Sequence, residues 1–162
     1  MGTLSFSIGL ARSGKSTFIE EWQKKTPNSV ILSGDAVRFS LSGQRFQLEV
    51  EPLVKPHMII AAKALLHVGM NVFWDDTNTH HVNVEDILRI DPNAKAYIFH
   101  CPIEVCIQRC YDTNQLDVVD SIKRMNDNLS VTLPMIARGD IKLNNFEEIG
   151  PKFRWIREGY WD

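Results

Sequence analysis

The chain has 162 residues, 44% of them hydrophobic, and a formal net charge of -2 at pH 7. That length fills one core and is too short for two full domains, so a single domain over residues 1–162 is expected. The near-neutral balance excludes the basic footprint of a protein that coats nucleic acid and leaves only local polynucleotide contacts, and no apolar run approaches a membrane span.

The first strand is expected over Leu4 to Ile8, followed by the glycine-bearing loop GLARSGKST and a helix over Lys15 to Lys24. A second strand spans Val30 to Ser33, and a short helix begins at Asp35. Pro56 is read as the start of a helix carrying Ile59, Ile60, Ala64, Leu65 and Val68, which Gly69 ends. The strand Asn71 to Asp76 follows, then the segment Val84 to Ile90, then a fourth strand from Ala94 to Cys101. Pro102 opens a helix through Cys110, and Val118, Ile122, Met125 and Leu129 recur at near-helical spacing. The polar stretches Gln44 to Glu51 and Asp112 to Asp117 are expected as mobile loops. This alternation implies an α/β fold, a parallel sheet of four to five strands with helices on both faces, whose ligands sit at the carboxyl ends of the strands.

The loop after the first strand satisfies G-x-x-x-x-G-K-S/T over Gly9 to Ser16, a phosphate cradle. Its glycines permit a tight turn in which successive N–H groups face the phosphates, and the next helix presents its positive end. Gly9, Arg12, Ser13, Gly14, Lys15, Ser16 and Thr17 are the nucleotide-binding candidates, with Lys15 reaching the β- and γ-phosphates and the Ser16 hydroxyl on Mg²⁺. Only backbone is needed at Arg12, whose side chain either adds a cation near the nucleotide or points outward.

The second strand delivers Asp35 and Arg38 to the same rim, three residues apart and hence on one helical face. Asp35 is the candidate base that accepts the proton of an attacking hydroxyl, and Arg38 is placed to fork onto a phosphate of the acceptor. The competing reading makes Asp35 a helix cap and Arg38 its ion-pair partner. The third strand ends in Asp75 and Asp76, with Thr77 and Asn78 beyond. Strand alternation sends the two aspartates to opposite faces, and Asp76 is favoured as the one that faces Mg²⁺ and nucleotide. A strand-ending turn rich in Asp, Thr and Asn is the alternative.

In this order and spacing, GLARSGKST, SGDAVR and WDDTN resemble the kinase module of the polynucleotide 5′-hydroxyl kinases, within the broader zeta-toxin-like P-loop kinases. The resemblance covers roughly Leu4 to Leu129 and implies a P-loop nucleotide-kinase-like fold with a helical lid at about residues 109–125. It implies ATP and Mg²⁺ as cofactors and transfer of the γ-phosphoryl group to a nucleic-acid end or nucleotide-like acceptor. By the same resemblance Asp35 is general base, Arg38 holds the phosphate next to the acceptor hydroxyl, Asp76, Thr77 and Asn78 form the acceptor-side turn, and Arg109 is the catalytic lid arginine. Such an arginine stabilises charge on the phosphoryl group in flight. The chain departs from the pattern where a second lid arginine is usual, because Tyr111, Asp112, Thr113 and Asn114 stand there; Lys123 and Arg124 either substitute or are simply solvated. It also lacks the D-x-D-x-T motif of an appended phosphatase.

Two other readings stay open. One keeps the same chemistry with a different acceptor, such as a nucleoside, another small molecule or a hydroxymethylated base in DNA. The other is a nucleotide-binding switch, whose guanine-reading N-K-x-D is matched only by NQLD at Asn114 to Asp117. His57, His67, His80, His81 and His100 are not spaced with Cys or carboxylate as a zinc site requires. Cys101, Cys106 and Cys110 form no C-x-x-C pair and suit reduced thiols. No signal segment opens the chain, and Phe6 breaks the myristoylation pattern at Gly2, so a soluble, cytoplasmic protein is expected. The tail PKFRWIREGYWD interleaves cations with aromatics; it reads equally as a stacking surface for a single strand, a packed terminal strand, or a homo-oligomer contact.

Overall fold

A computed structural model describes residues 1–150; the tail 151–162 lies outside the described residues. Five strands, β1 Leu4–Ile8, β2 Ser29–Ser33, β3 Asn71–Asp75, β4 Lys95–Phe99 and β5 Asn145–Ile149, form one sheet. Every pairing is parallel and the order is β2-β3-β1-β4-β5. Six helices connect them: α1 Lys15–Lys25, α2 Gly34–Ser42, α3 Glu51–His67, α4 His81–Ile90, α5 Ile103–Asp112 and α6 Val119–Arg138.

Strand alternation divides the core in two. Phe6, Ile8, Val72, Trp74, Ala96 and Ile98 belong to the larger cluster, which helices α3 to α6 cover. On the other face Phe73, Tyr97 and Phe99 meet Phe18, Ile19 and Trp22 of α1. Between them β1 shows only the small, buried Ser5 and Ser7, which leave a slot that the Phe73 and Tyr97 rings span at 5.8 Å. Trp22 closes on Phe73 edge to face at 5.1 Å, an arrangement suited to the ring quadrupoles.

The strand order explains where a ligand can sit. From β1 the chain passes outward to β2 and β3 on one side, then crosses β1 to β4 and β5 on the other. The loop after β1 therefore lies at the topological switch, where neighbouring connections diverge and open a crevice.

Two boundaries differ from the sequence reading. Helix α3 begins at Glu51, so Pro56 lies inside it while Pro52 occupies its first turn. Pro52 fits there because a first-turn N–H has no intrahelical acceptor, and Pro56 forfeits one bond near the helix start. Helix α6 runs to Arg138, well beyond the periodic stretch read from Val118 to Leu129, and contains Pro134. The stretch 112–117 is partly ordered by a single 3₁₀ turn, Leu116–Val118, and Arg45 of the 43–50 connection pairs with Asp117 at 3.2 Å.

Phe73→Ala should lower the free energy of unfolding by about 3–5 kcal/mol, the usual cost of emptying a buried aromatic site. The expected observation is a reduced urea midpoint with an unchanged slope.

Candidate active site

The phosphate loop is pinned to the end of β3 by three bonds. Gly9 N–H donates to the Thr77 carbonyl at 2.9 Å, Ser7 Oγ to the Asp76 carbonyl at 2.7 Å, and Asn78 Nδ2 to the Ser7 carbonyl at 2.8 Å. Asn78 is buried and left-handed, with φ 47, a conformation that Asn tolerates better than most residues. Its side chain thus ties two strand ends together and also lines the pocket described below.

Within the loop, Gly14 is left-handed with φ 97. A Cβ on Gly9 would lie 2.9 Å from Phe99 Cβ and 3.2 Å from Ser13 Oγ, so only glycine fits. The N–H groups of Leu10 to Thr17 donate to no backbone carbonyl among the described residues. Ser16 and Thr17 are exposed in the first turn of α1. Free N–H groups, a glycine-only approach and a helix start together suit a polyphosphate.

Lys15 is buried, with Nζ donating to the carbonyls of Gly9, at 3.0 Å, and Leu10. Burial pushes its ammonium down to about 8, while the negative charges of Asp75 and Asp76 work in the opposite sense. Burial also raises both carboxyls, against the pull of Lys15 on Asp75 and of the Thr77 N–H and Arg38 on Asp76. Both aspartates therefore act on Lys15, Asp75 the more strongly. The alternation argument does not separate them, because β3 ends at Asp75 and the chain turns at Asp76. The exposed Ser16 hydroxyl and this acidic pair fit Mg²⁺, which typically takes one or two protein ligands and completes its shell with water and substrate phosphates. No cluster of three or more His, Cys, Asp or Glu side chains that would hold a metal unaided occurs among the described residues.

At the end of β2, Ser33 caps α2 through its Oγ, which accepts from Ala36 N–H at 3.3 Å. The cap is thus Ser33, and Asp35 is left exposed in the first turn. Asp35 Oδ1 accepts from Arg38 Nη1 at 3.1 Å, and Glu51 Oε1 accepts from Arg38 Nε at 2.6 Å. Burial works against the Arg38 charge, but the bond from Glu51 and the surrounding carboxylates outweigh it and raise the guanidinium above its ordinary value. A Cβ on Gly34 would lie 2.9 Å from Asp76 Oδ2 and 3.2 Å from Arg38 Nη1. Gly34 is therefore what lets the ends of β2 and β3 bring Arg38 and Asp76 together. A pocket of about 230 Å³ opens there, lined by Arg38, Glu51, Asp76 and Asn78 over an apolar floor of Val54 and Met58.

Glu51 is the residue that sequence reasoning passed over. It lies 13 positions from Arg38 in a stretch read as loop, and no motif flags it. Arg109 is exposed on α5 and donates through Nη1 to the Arg12 carbonyl at 2.8 Å; it follows β4 on one side of β1, whereas Asp35 follows β2 on the other. Lys123 and Arg124 are exposed on α6, where Arg124 bonds Ser121 at 3.1 Å. His80 caps α4 through Nδ1, which accepts from Val82 N–H at 3.2 Å.

The Lys15 value gives nucleotide binding a defined pH dependence. The phosphates favour charged Lys15, so affinity should be level below about pH 8 and fall as pH rises beyond it. Between pH 7 and pH 9 a weakening of about tenfold for ADP is expected by calorimetry, since one unit above the pKa leaves about a tenth of the lysine charged.

The family model of the AAA domain matches residues 4–115. No curated protein matches the sequence. Among solved structures, the chain is similar to one in the Pnkp1/Rnl/Hen1 RNA repair complex, with TM-score 0.73 and 22% identity, covering 83% of this chain and 46% of that one. It thus spans less than half the length of that neighbour. A gluconokinase from Sinorhizobium meliloti 1021 aligns with TM-score 0.59 and 14% identity, over 97% of this chain and 86% of its own. A chain of the PezAT toxin-antitoxin system of Streptococcus pneumoniae aligns with TM-score 0.63 and 14% identity, over 91% and 68%. At these identities the likeness is one of fold. The chain belongs to the AAA domain family, with the fold of the P-loop kinases.

Proposed function

We propose that this protein is a kinase that uses ATP and Mg²⁺ to phosphorylate the 5′-hydroxyl of a polynucleotide, DNA or RNA. The observation that carries the reading is the Asp35–Arg38 pair on the rim of the phosphate loop, beside a polar pocket with an apolar floor. A carboxylate that is exposed yet fixed by an arginine can take a proton from a hydroxyl held next to it. Glu51 holds Arg38 by Nε and Asp35 holds it by Nη1, which orients the fork; Nη2 carries no hydrogen bond among the described residues and is directed to the acceptor's neighbouring phosphate.

In this account Lys15 and the loop N–H groups bind the β- and γ-phosphates. Mg²⁺, held by Ser16 and the acidic turn, neutralises charge on the phosphates when bound. Asp35 accepts the proton as the acceptor oxygen attacks in line, and Arg109 meets the charge that develops. Asp76 keeps Arg38 in position, Asn78 holds the turn, and Thr77 closes it on Gly9. Residues 1–162 act as one domain, and residues 109–125 serve as its lid. The three cysteines are free, and ATP is an intracellular donor, so we place the enzyme in the cytoplasm. No helix of the described residues is long and apolar enough to cross a membrane.

A second reading has an observation of its own. Arg38 already meets two carboxylates, which favours an acceptor without a phosphate, such as a nucleoside or another small polyol.

Transfer of labelled γ-phosphate from ATP to a panel of acceptors separates the two. The first reading expects labelling of a 5′-hydroxyl oligonucleotide and of a nucleoside 3′-monophosphate, with little on a free nucleoside or gluconate. Preference for the uncharged nucleoside would transfer the assignment to the second reading. In either case Asp35→Asn should retain ATP binding and lower turnover by roughly two to four orders of magnitude; a loss of ATP affinity instead would make Asp35 structural.

A further inference from the structure

The phosphate loop requires only backbone at position 12, yet the Arg12 side chain is folded back across its rim. Arg12 is left-handed with φ 66, unusual for a residue with a side chain. Its Nη2 donates to Thr113 Oγ1 at 3.0 Å and reaches the Arg109 carbonyl at 3.5 Å. Arg109 replies through Nη1 to the Arg12 carbonyl at 2.8 Å, and its other contact is Cys101 Sγ at 3.8 Å. Thr113 Oγ1 in turn donates to the Arg109 carbonyl at 2.8 Å.

The Arg12 and Arg109 side chains therefore cross at one edge of the loop, each bonded only to uncharged acceptors and neither paired with a carboxylate among the described residues. Arg12 Nε is buried with no hydrogen-bond partner among them. A buried guanidinium donor without a partner is unfavourable until an acceptor such as a phosphate oxygen joins it. Thr113 lies four positions beyond Arg109, one helical turn along. From that place the Arg12 side chain completes, from the loop side, a face with two arginines. Lys123 and Arg124 have no described contact with this edge.

We infer that Arg12 is a second phosphate-clamping arginine. It works with Arg109 on the transferring phosphoryl group, and its bond to Thr113 is exchanged for phosphate oxygens as the reaction proceeds. The inference rests on the kinase reading above. It assigns Arg12 to the transition state, where two planar donors gain most as charge spreads over the phosphoryl oxygens.

The test compares binding of Mg·ADP with binding of Mg·ADP plus aluminium fluoride, a mimic of the phosphoryl group in flight, alongside kcat. Arg12→Ala should lower kcat roughly 100-fold and weaken the fluoride complex by a similar factor, the scale of losing one charge-stabilising donor. Its dissociation constant for Mg·ADP should shift by less than about threefold, because ground-state binding is not what is lost. Arg12→Lys should recover part of the fluoride effect. Thr113→Val, which removes the resting bond and keeps the cation, should lower kcat and fluoride affinity far less than Arg12→Ala. Equal weakening of both nucleotide complexes by Arg12→Ala, no effect on either, or a Thr113→Val variant that reproduces the loss would make Arg12 a structural tether and overturn the inference. A wild-type protein that binds Mg·ADP but gains nothing from fluoride and transfers no phosphate would overturn the kinase reading, and the role of Arg12 with it.

Discussion

The burial of the Lys15 ammonium between the phosphate loop and the acidic end of β3 is the constraint on which the rest of the site depends. A lysine in that position stays charged only while Asp75, Asp76 and the loop carbonyls compensate its lost hydration. Compensation in turn requires the two strand ends to keep a fixed separation. The bonds among Ser7, Gly9, Asp76, Thr77 and Asn78 supply it, and the aromatic layer beneath α1 packs β3 and β4 together across the small Ser5 and Ser7 of β1. Fold stability and charge placement are thus one problem here, solved by the same few residues.

Sheet order extends this arrangement to the acceptor. Because β2 lies beyond β3, α2 begins on the far side of Asp76 from Lys15. Asp76 then feels both cations, Lys15 on the side of the phosphate loop and Arg38 on the side of α2. Gly34 is the steric condition for that approach. Arg38, held by Asp35 on one side and Glu51 on the other, couples α2 to the first turn of α3. The position of Arg38 therefore depends on where α3 starts, and in the proposed mechanism that links a helix boundary to substrate selection.

Much of this was legible in the sequence, for physical reasons. Apolar runs between turn residues mark the interior strands β1, β3 and β4, and β2 at one edge keeps such a run in SVILS, so these four were found with small differences at their ends. The phosphate loop was found by spacing alone. Strand β5 was not, because at the sheet edge NFEEI carries two glutamates and is partly exposed. The start of α3 was misplaced because two prolines four residues apart both fit a first turn, and only packing chooses between them. In the site, residue types and order marked Asp35, Arg38, Asp76 and Arg109 as candidates. Side-chain direction was beyond reach: nothing in GLARSGKST says that Arg12 turns toward Thr113, and nothing in WDDTN says that both aspartates act on Lys15.

In the proposed mechanism a hydroxyl activated at Asp35 takes the phosphoryl group, in a single displacement, from a nucleotide held at Lys15. The most direct test is the stereochemistry at phosphorus, using ATP made chiral at the γ-position with oxygen isotopes and whichever acceptor is labelled. One in-line transfer predicts inversion of configuration. Retention would reveal a phosphorylated side chain as an intermediate, and would contradict a mechanism in which donor and acceptor face each other across the ends of β1, β2 and β3.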